Sequence, residues 1–299
     1  MIEVRGLVKT FGALRALDGA DLTVPTGAVC GLVGPNGAGK TTLLHHLTGV
    51  YRQDSGTIVF DGAPVWENPA VKARIAPIPD DWFHFTQAGL DDMRRFYCGF
   101  YPAFSRKRYD SLRPVFALDE SRPLRRMSKG QRRQAAFCLA LCAMPDYLIL
   151  DEPVDGLDPV MRRQIWSLIM QDVAERGTTV LVSSHNLREL EDVCDHVCVM
   201  DGGRLLLEQP LSELQEHIVK LQLAFAGDTL PPLPQDIEIL HHAQSGRVHT
   251  LVCRGSADEL TQRLMPLHPV LLDAVPLSLE EIFIYELGGE DYAIRDIVL

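Results

Sequence analysis

The chain has 299 residues, enough for one large or two modest domains. Hydrophobic residues make up 46% and charged residues 23%, which excludes a disordered or fibrous chain and fits a globular protein with a sizeable core. A formal net charge of −11 argues against gripping nucleic acid through the overall field, yet leaves docking through a local patch open.

No run reaches the length that spans a bilayer, and Met1 to Leu7 lacks a basic start followed by an apolar core. A cytoplasmic location is expected. The seven cysteines are scattered. Cys138/Cys142 and Cys194/Cys198 sit in apolar segments without a matching ligand set, so they read as reduced core thiols.

In chain order, Ile2 to Leu7 alternates apolar and polar, as a half-buried strand does. Val8 to Gly12 is expected to turn. Phe11 in that turn either packs as a core or turn aromatic or stacks on an adenine ring. Leu14 to Val24 alternates again and stops at Pro25-Thr26-Gly27. Val29 to Val33 reads as a short buried strand. It runs into Gly34-Pro35-Asn36-Gly37-Ala38-Gly39-Lys40-Thr41, which fits the phosphate-loop pattern G-x-x-x-x-G-K-[ST]. Glycines let the backbone turn tightly and aim N–H groups at phosphate oxygens. Lys40 adds a charge for the β- and γ-phosphates, and Thr41 offers a hydroxyl to Mg²⁺. Thr41-Thr42 opens a helix to about Gly49, whose N-terminal dipole favours anions.

Gly56 to Phe60 is a strand ending in an Asp61-Gly62 turn. Ile75 to Pro79 is a short apolar run closed by Asp80-Asp81, leading into the aromatics Trp82, Phe83, His84 and Phe85. From about Gln87 to Cys142 the pattern is mostly helical, with Met93, Phe96, Tyr97 and Phe100 expected on one apolar face. Arg122, Arg125, Arg126, Lys129, Arg132 and Arg133 form a basic cluster. It is either a solvated helix face or a phosphate-facing surface, and closeness to Ser128 favours the second. Tyr147 to Pro153 is a buried strand ending in two carboxylates, Met161 to Glu175 a helix stopping before Gly177, and Thr178 to His185 a strand with polar residues at its end. Val197 to Met200 and Arg204 to Leu207 form a hairpin about Asp201-Gly202-Gly203. Strands alternating with helices, with polar groups at strand ends, predict a mostly parallel sheet that binds its ligand there.

Past Pro210 the character changes. Leu211 to about His217 is helical. Val219 to Phe225, Ile237 to Leu240, Val248 to Arg254 and Leu271 to Val275 read as strands, and Ala257 to Leu264 as a helix. Thr229 to Pro234 is a proline-rich loop. Ser278 to Tyr285 is an amphipathic helix with Ser278 and Glu281 at capping-box spacing. The expected division is 1–210 and 211–299, with helical residues about 82–142 inside the first part.

Four further features carry chemistry. Asp151 ends an apolar strand, where it can hold Mg²⁺ directly or through water. Glu152 faces another direction and can polarise a water for in-line attack on a γ-phosphate. His185, also at a strand end, can bond that phosphate, or be a satisfied core histidine. Met127-Ser128-Lys129-Gly130-Gln131 stands at the start of a helix expected from Gln131 to Cys142 and makes a second anion site. One nucleotide loop plus a second anion site suggests a ligand held between two copies.

The order of GPNGAGKT, MSKGQ, YLILDEP, Gly156-Leu157-Asp158 and Ser184-His185 resembles the nucleotide-binding subunit of an ABC transporter, over about residues 1–210. The resemblance implies an α/β P-loop NTPase fold: a mostly parallel core sheet, an antiparallel β subdomain, a helical subdomain and, after them, a small α+β C-terminal domain. It implies ATP and Mg²⁺ as ligands and ATP hydrolysis as the reaction. Gly34 to Thr42 (Gly34, Pro35, Asn36, Gly37, Ala38, Gly39, Lys40, Thr41, Thr42) would be the Walker A loop and Phe11 the adenine-stacking aromatic. Leu148 to Glu152 would be Walker B, with Glu152 the catalytic carboxylate and His185 the switch histidine. Ser128, Lys129, Gly130 and Gln131 match the signature that faces ATP on a partner subunit, and Asp158 matches the D-loop. Thr41, Asp80 and Asp151 are the implied Mg²⁺ ligands. The partners implied are a second copy or a paralogous subunit, packed head-to-tail around two ATP, and a separate transmembrane permease. No nucleic acid is implied. The subunit would be peripheral on the inner face of the membrane.

Two motifs depart from the family pattern. Met127 and Lys129 replace Leu and the first Gly of L-S-G-G-Q. Asp80 stands where the Q-loop has Gln, offering a carboxylate for a neutral carbonyl, with Asp81 as an alternative. Ser-Lys-Gly, Pro79-Asp80-Asp81-Trp82 and Leu279-Glu280-Glu281-Ile282-Phe283 resemble ATPase subunits of ABC-2 type bacterial exporters of the envelope-stress and antibiotic-export kind. The rival readings are a soluble ABC ATPase with a non-transport partner, as in metallocluster assembly, a DNA-repair or translation ATPase, and a nucleotide-regulated scaffold. No long heptad insertion or second cassette supports the repair or translation types, and Glu152 and His185 argue against the scaffold.

Overall fold

The structure, a computed structural model, describes residues 1–82, 84–120, 122–227, 230–234 and 236–287. Phe83 of the aromatic run, Thr229 of the proline-rich loop, the side chain of Phe283 and residues 288–299 of the expected C-terminal domain lie outside what is described.

The chain opens with β1 (Ile2–Phe11) and β2 (Leu14–Val24), paired antiparallel from Ile2↔Val24 to Phe11↔Leu14. The expected turn at Val8 to Gly12 is corrected: the strand runs on through Phe11 and only Gly12-Ala13 turns. Register shifts between Val4 and Leu7, Leu7 and Val8, and Lys9 and Thr10 break the alternation without ending the pairing. Then come β3 (Val29–Val33), α1 (Lys40–Leu47), β4 (Ser55–Phe60), β5 (Ala63–Pro64) and a short α2 (Pro69–Lys72), which the sequence reading lacks. Asn68 caps α2 by accepting from Val71 N–H at 3.3 Å.

Next are β6 (Ile75–Ile78), α3 (Leu90–Phe100), α4 (Arg106–Val115) and α5 (Lys129–Cys142). The single apolar face expected on α3 is corrected. Met93 and Tyr97, one turn apart, are buried, whereas Phe96 and Phe100 are 46% and 51% exposed. Those two rings stack on each other at 6.4 Å, with Phe85 edge-on to Phe96 at 5.3 Å. β7 (Tyr147–Asp151), α6 (Pro159–Arg176), β8 (Thr179–Ser184), a short α7 (Arg188–Glu191), β9 (His196–Asp201) and β10 (Arg204–Pro210) follow.

Two compact units divide the chain: residues 1–185 with 193–208, and 186–192 with 209–299. In the first, one sheet has the order β2-β1-β4-β5 and a six-stranded sheet the order β10-β9-β3-β8-β7-β6. In the second sheet, β3 pairs parallel with β8 and β9, and β7 pairs parallel with β6 and β8. β3, β7 and β8 are buried at every residue, which is why their sequences are unbroken runs rather than alternating ones. Their neighbouring register brings three strand ends together: Val33 beside Ser184, and Asp151 beside Ser183. That is where an open parallel sheet binds its ligand.

The second unit continues with α8 (Leu211–His217), β11 (Ile218–Ala224), β12 (Ile239–Ser245), β13 (Val248–Arg254), α9 (Ala257–Leu264), β14 (Leu271–Val275) and α10 (Leu279–Leu287). Its antiparallel sheet has the order β12-β13-β11-β14, over a core of Leu221, Leu223, Leu251, Cys253, Leu260 and Leu264. The strand expected at Ile237 to Leu240 is corrected to Ile239–Ser245. Hairpin pairing with β13 up to Ser245↔Val248 defines it, and its edge position leaves its last residues exposed, without an apolar signal. Ser278 and Glu281 form the expected reciprocal cap, with Ser278 N–H donating to Glu281 at 2.9 Å and Glu281 N–H to Ser278 Oγ at 3.3 Å. α10 also holds α7, through Arg188 to Glu280 at 2.9 Å. Among the described residues no helix is long and apolar enough to cross a membrane.

Candidate active site

The loop after β3 is shaped by close approach. A Cβ on Gly34 would lie 2.1 Å from the Met200 carbonyl oxygen, and one on Gly39 would lie 2.7 Å from that of Ala16. Gly37 and Gly39 have φ of 86° and 107°, the left-handed region that lets a short backbone wrap around a ligand. The loop ends on α1, which carries no acidic residue in its first turn and so keeps its positive dipole end available. Lys40 folds back over the loop. Its ammonium donates to Gly34 O at 2.5 Å and Pro35 O at 3.2 Å, and the residue is 6% exposed. Burial lowers the Lys40 pKa, opposed by the carboxylates of Glu152 and Asp151.

Asp151 is buried at the end of β7 and accepts from Ser183 Oγ at 2.6 Å. Glu152 takes a left-handed φ of 44°, which costs a non-glycine residue about 1–2 kcal/mol. Its N–H donates to Ser183 O at 3.2 Å and to Ser183 Oγ at 3.1 Å, which holds that geometry in place. The Glu152 side chain meets His185, whose Nδ1 is 2.8 Å from Oε2. Asp155 joins them, the three side chains bringing polar atoms within 4.8 Å of one another. Burial raises the Glu152 pKa. The hydrogen bond and charge of His185, and then Lys40, oppose that rise, and Asp155 adds to it.

A cavity of about 480 Å³ brings together Pro35 to Thr42 with Asp80, Asp151 and Glu152. Leu14, Arg15, Ala16, Gly202 and Gly203 complete its wall, and the sequence reading assigned none of them to a site. Gly202 and Gly203 were legible only as a hairpin turn. Gly203 N–H donates to Ala38 O at 2.9 Å, tying that turn to the loop. Ser183 was likewise seen only as a polar strand end. Phe11 does not line the cavity. It is 41% exposed, edge-on to Tyr51 at 5.4 Å, and paired across the hairpin with Leu14, which does line it.

Ser128 to Gln131 do not line this cavity either. Ser128 Oγ accepts from Gln131 N–H at 3.1 Å, and Gln131 Oε1 accepts from Ser128 N–H at 3.1 Å. This reciprocal cap, legible as S-x-x-Q, starts α5 at Lys129 rather than at Gln131 and contributes about 1 kcal/mol. Gly130 lies against the Gly156 turn, where a Cβ would meet Gly156 O at 3.1 Å. Asp158, exposed, caps α6 by accepting from Val160 and Met161 N–H, both at 3.0 Å. The basic cluster divides: Arg122, Arg125, Arg126 and Lys129 are exposed, while Arg133 is buried and bonds Pro79 O and Asp80, each at 2.8 Å. All seven cysteines are free thiols, six of them buried.

The donor set suits a hard divalent cation. Thr41 offers a hydroxyl, and Asp80 and Asp151 offer carboxylates, in one cavity beside the phosphate loop.

A model of the ABC transporter family matches residues 17–155. The ABC transporter ATP-binding protein YtrB of Bacillus subtilis is 34% identical over 97% of this chain and 99% of its own. The Nod factor export ATP-binding protein I of Cupriavidus metallidurans is 34% identical, covering 84% of this chain and 85% of its own. A solved ATP-binding subunit of an ABC transporter superposes with a TM-score of 0.67, at 26% identity, over 72% of this chain and 92% of its own. With a phosphate loop, an acidic strand end and a fold that agree, the chain belongs to the ABC transporter ATP-binding family and is an ABC-type ATPase.

Proposed function

We propose that two copies of this chain, or one copy and a paralogous subunit, close head-to-tail around two MgATP and drive a separate transmembrane permease, in the direction of export. The observation that carries this reading is the separation of the two anion sites. The phosphate loop and its carboxylates share one cavity, while Ser128 to Gln131, at the N-terminus of a second helix, stand outside it. A second copy would bring its own Ser128 to Gln131 to that cavity. Phe11 would stack on adenine from the rim, and Asp158 would sit at the seam. The fold then divides its work as the sequence suggests, with 1–210 as the ATPase and 211–299 as an accessory domain.

In the mechanism, Lys40 and the loop N–H groups bind the phosphates. Thr41 and Asp151 would hold Mg²⁺, which when bound neutralises phosphate charge, while Asp80, paired with Arg133 and Lys129, lines the same cavity. Glu152 takes a proton from the attacking water, and His185 positions the Glu152 carboxylate through its 2.8 Å contact. The exposed ladder of Phe85, Phe96 and Phe100 follows Asp80 in the chain, and its chemistry suits cover by a cytoplasmic element of the permease. Export is supported by the name of the Nod factor export relative. The subunit would then sit on the inner face of the membrane.

Mixing tests the composite site. A Lys40→Ala chain and a Ser128→Arg chain are each expected to be inactive alone. Mixed, about half the dimers contain one intact site, so ATPase activity returns to about a quarter of the wild-type level. No recovery, with mixed dimers present by sedimentation, would count against the two-copy site.

A pH profile tests the Glu152 assignment. The raised pKa means that Glu152 holds its proton to a higher pH than an ordinary glutamate, so turnover should fall on the acid side earlier than that range predicts. His185 opposes the rise. In His185→Ala the acid limb should therefore move further up in pH, besides any fall in kcat. A limb that stays put would remove Glu152 as the titrating base.

A further inference from the structure

Two of the positions where this chain departs from the family pattern meet in space. Lys129 Nζ, at the first glycine of the usual signature, lies 3.4 Å from Asp80 Oδ1, at the usual Q-loop glutamine. The same carboxylate oxygen accepts from Arg133 Nη2 at 2.8 Å, and Arg133 Nη1 donates to Pro79 O at 2.8 Å. Arg133 stands one turn after Lys129 on α5, and only 2% of its side chain is exposed. A buried guanidinium depends on its partners, so Arg133 is a fixed clamp between α5 and the loop after β6. Lys129 is different in kind. It and Asp80 are 56% and 55% exposed, so their pair is screened by solvent and easily exchanged. Asp80 also lines the cavity of Lys40, Thr41 and Asp151. One carboxylate thus serves both the phosphate cavity and the start of α5.

We propose that Asp80 is the counter-ion that holds Lys129 within its own subunit, and that the triphosphate carried by a second copy displaces it. Lys129 exchanges a single carboxylate for a multiply charged phosphate as the two copies close. A lysine suits this exchange, being a compact charge on a flexible four-carbon stem, where a glycine offers only backbone. Asp80 is then a positioning residue that restrains closure, and Lys129 is the cation whose release permits it. The inference rests on the two-copy reading above.

The test is a double-mutant cycle in a Glu152→Gln chain, with Asp80 or Asp80→Asn combined with Lys129 or Lys129→Met. The readout is the MgATP-driven dimerisation constant from sedimentation equilibrium, with the MgATP affinity of the single subunit measured alongside using a fluorescent ATP analogue. With Lys129 present, Asp80→Asn should tighten the dimer about threefold per site, hence about tenfold for two sites, and less so at high salt. With Lys129→Met, the Asp80 substitution should change the constant by less than about twofold. Dimers in all four chains with the same Asp80 effect in both backgrounds would overturn this inference and leave the two-copy reading standing. So would a loss of single-subunit MgATP affinity on Asp80→Asn that ignores Lys129, the signature of a plain magnesium ligand. No dimer in any of the four chains would overturn the two-copy reading, and the inference with it.

Discussion

Lys40→Ala is expected to weaken MgATP binding by at least about 100-fold, to the point where equilibrium dialysis at micromolar nucleotide finds none. The ammonium donates to the carbonyls of Gly34 and Pro35, so it is already poised over the loop and needs a small movement to meet a phosphate. Each charge-assisted hydrogen bond lost is worth about 1.5–3 kcal/mol, and two such bonds, to the β- and γ-phosphates, exceed the roughly 2.7 kcal/mol that a hundredfold change requires. Burial makes the residue's charge costly, and a phosphate returns the counter-charge that Asp151 and Glu152 supply in part. Alanine at the first position of α1 favours the helix, so the fold should survive, as circular dichroism can check. Affinity within a factor of ten of wild type would show that Lys40 does not carry phosphate binding.

The second large effect is expected at Glu152. Glu152→Gln keeps the side-chain shape, the contact with His185 and the two N–H bonds to Ser183. What it removes is the proposed base and one negative charge lining the phosphate-loop cavity. Loss of a positioned general base should lower kcat by about 10²–10⁴-fold with little change in nucleotide affinity. The lost charge should favour a closed pair of subunits, so MgATP should double the mass by light scattering while ADP does not. Turnover near the wild-type rate would take the base role from Glu152. Absence of an ATP-dependent dimer would remove the sandwich mechanism.

Much of the fold was legible because its strongest signals are local. The unbroken apolar runs of β3, β7 and β8 could be nothing but buried strands once Gly, Pro and acidic residues bounded them. β2, α8, α9, β13 and β14 have the limits that alternation, helical periodicity and turn residues predict. The misreadings share one cause. In β1 the bulges put the alternation out of phase, in β12 an exposed edge carries no apolar pattern, and on α3 only the facing elements select Met93 and Tyr97 over Phe96 and Phe100.

The sequence by itself determined the family and the parallel-sheet class, because five motifs, each fixed by contiguous spacing, stand in the family's order. Only the tertiary structure decided how those residues meet. It placed Leu14 to Ala16 and Gly202-Gly203 in the cavity wall, brought Glu152 to His185, and left Ser128 to Gln131 outside the cavity. It also joined Asp80 to Lys129 and Arg133, across about fifty residues of chain. The physical reason is that such meetings depend on strand order and helix packing, which arise from burial summed over the whole core and leave no trace in the spacing of any one segment.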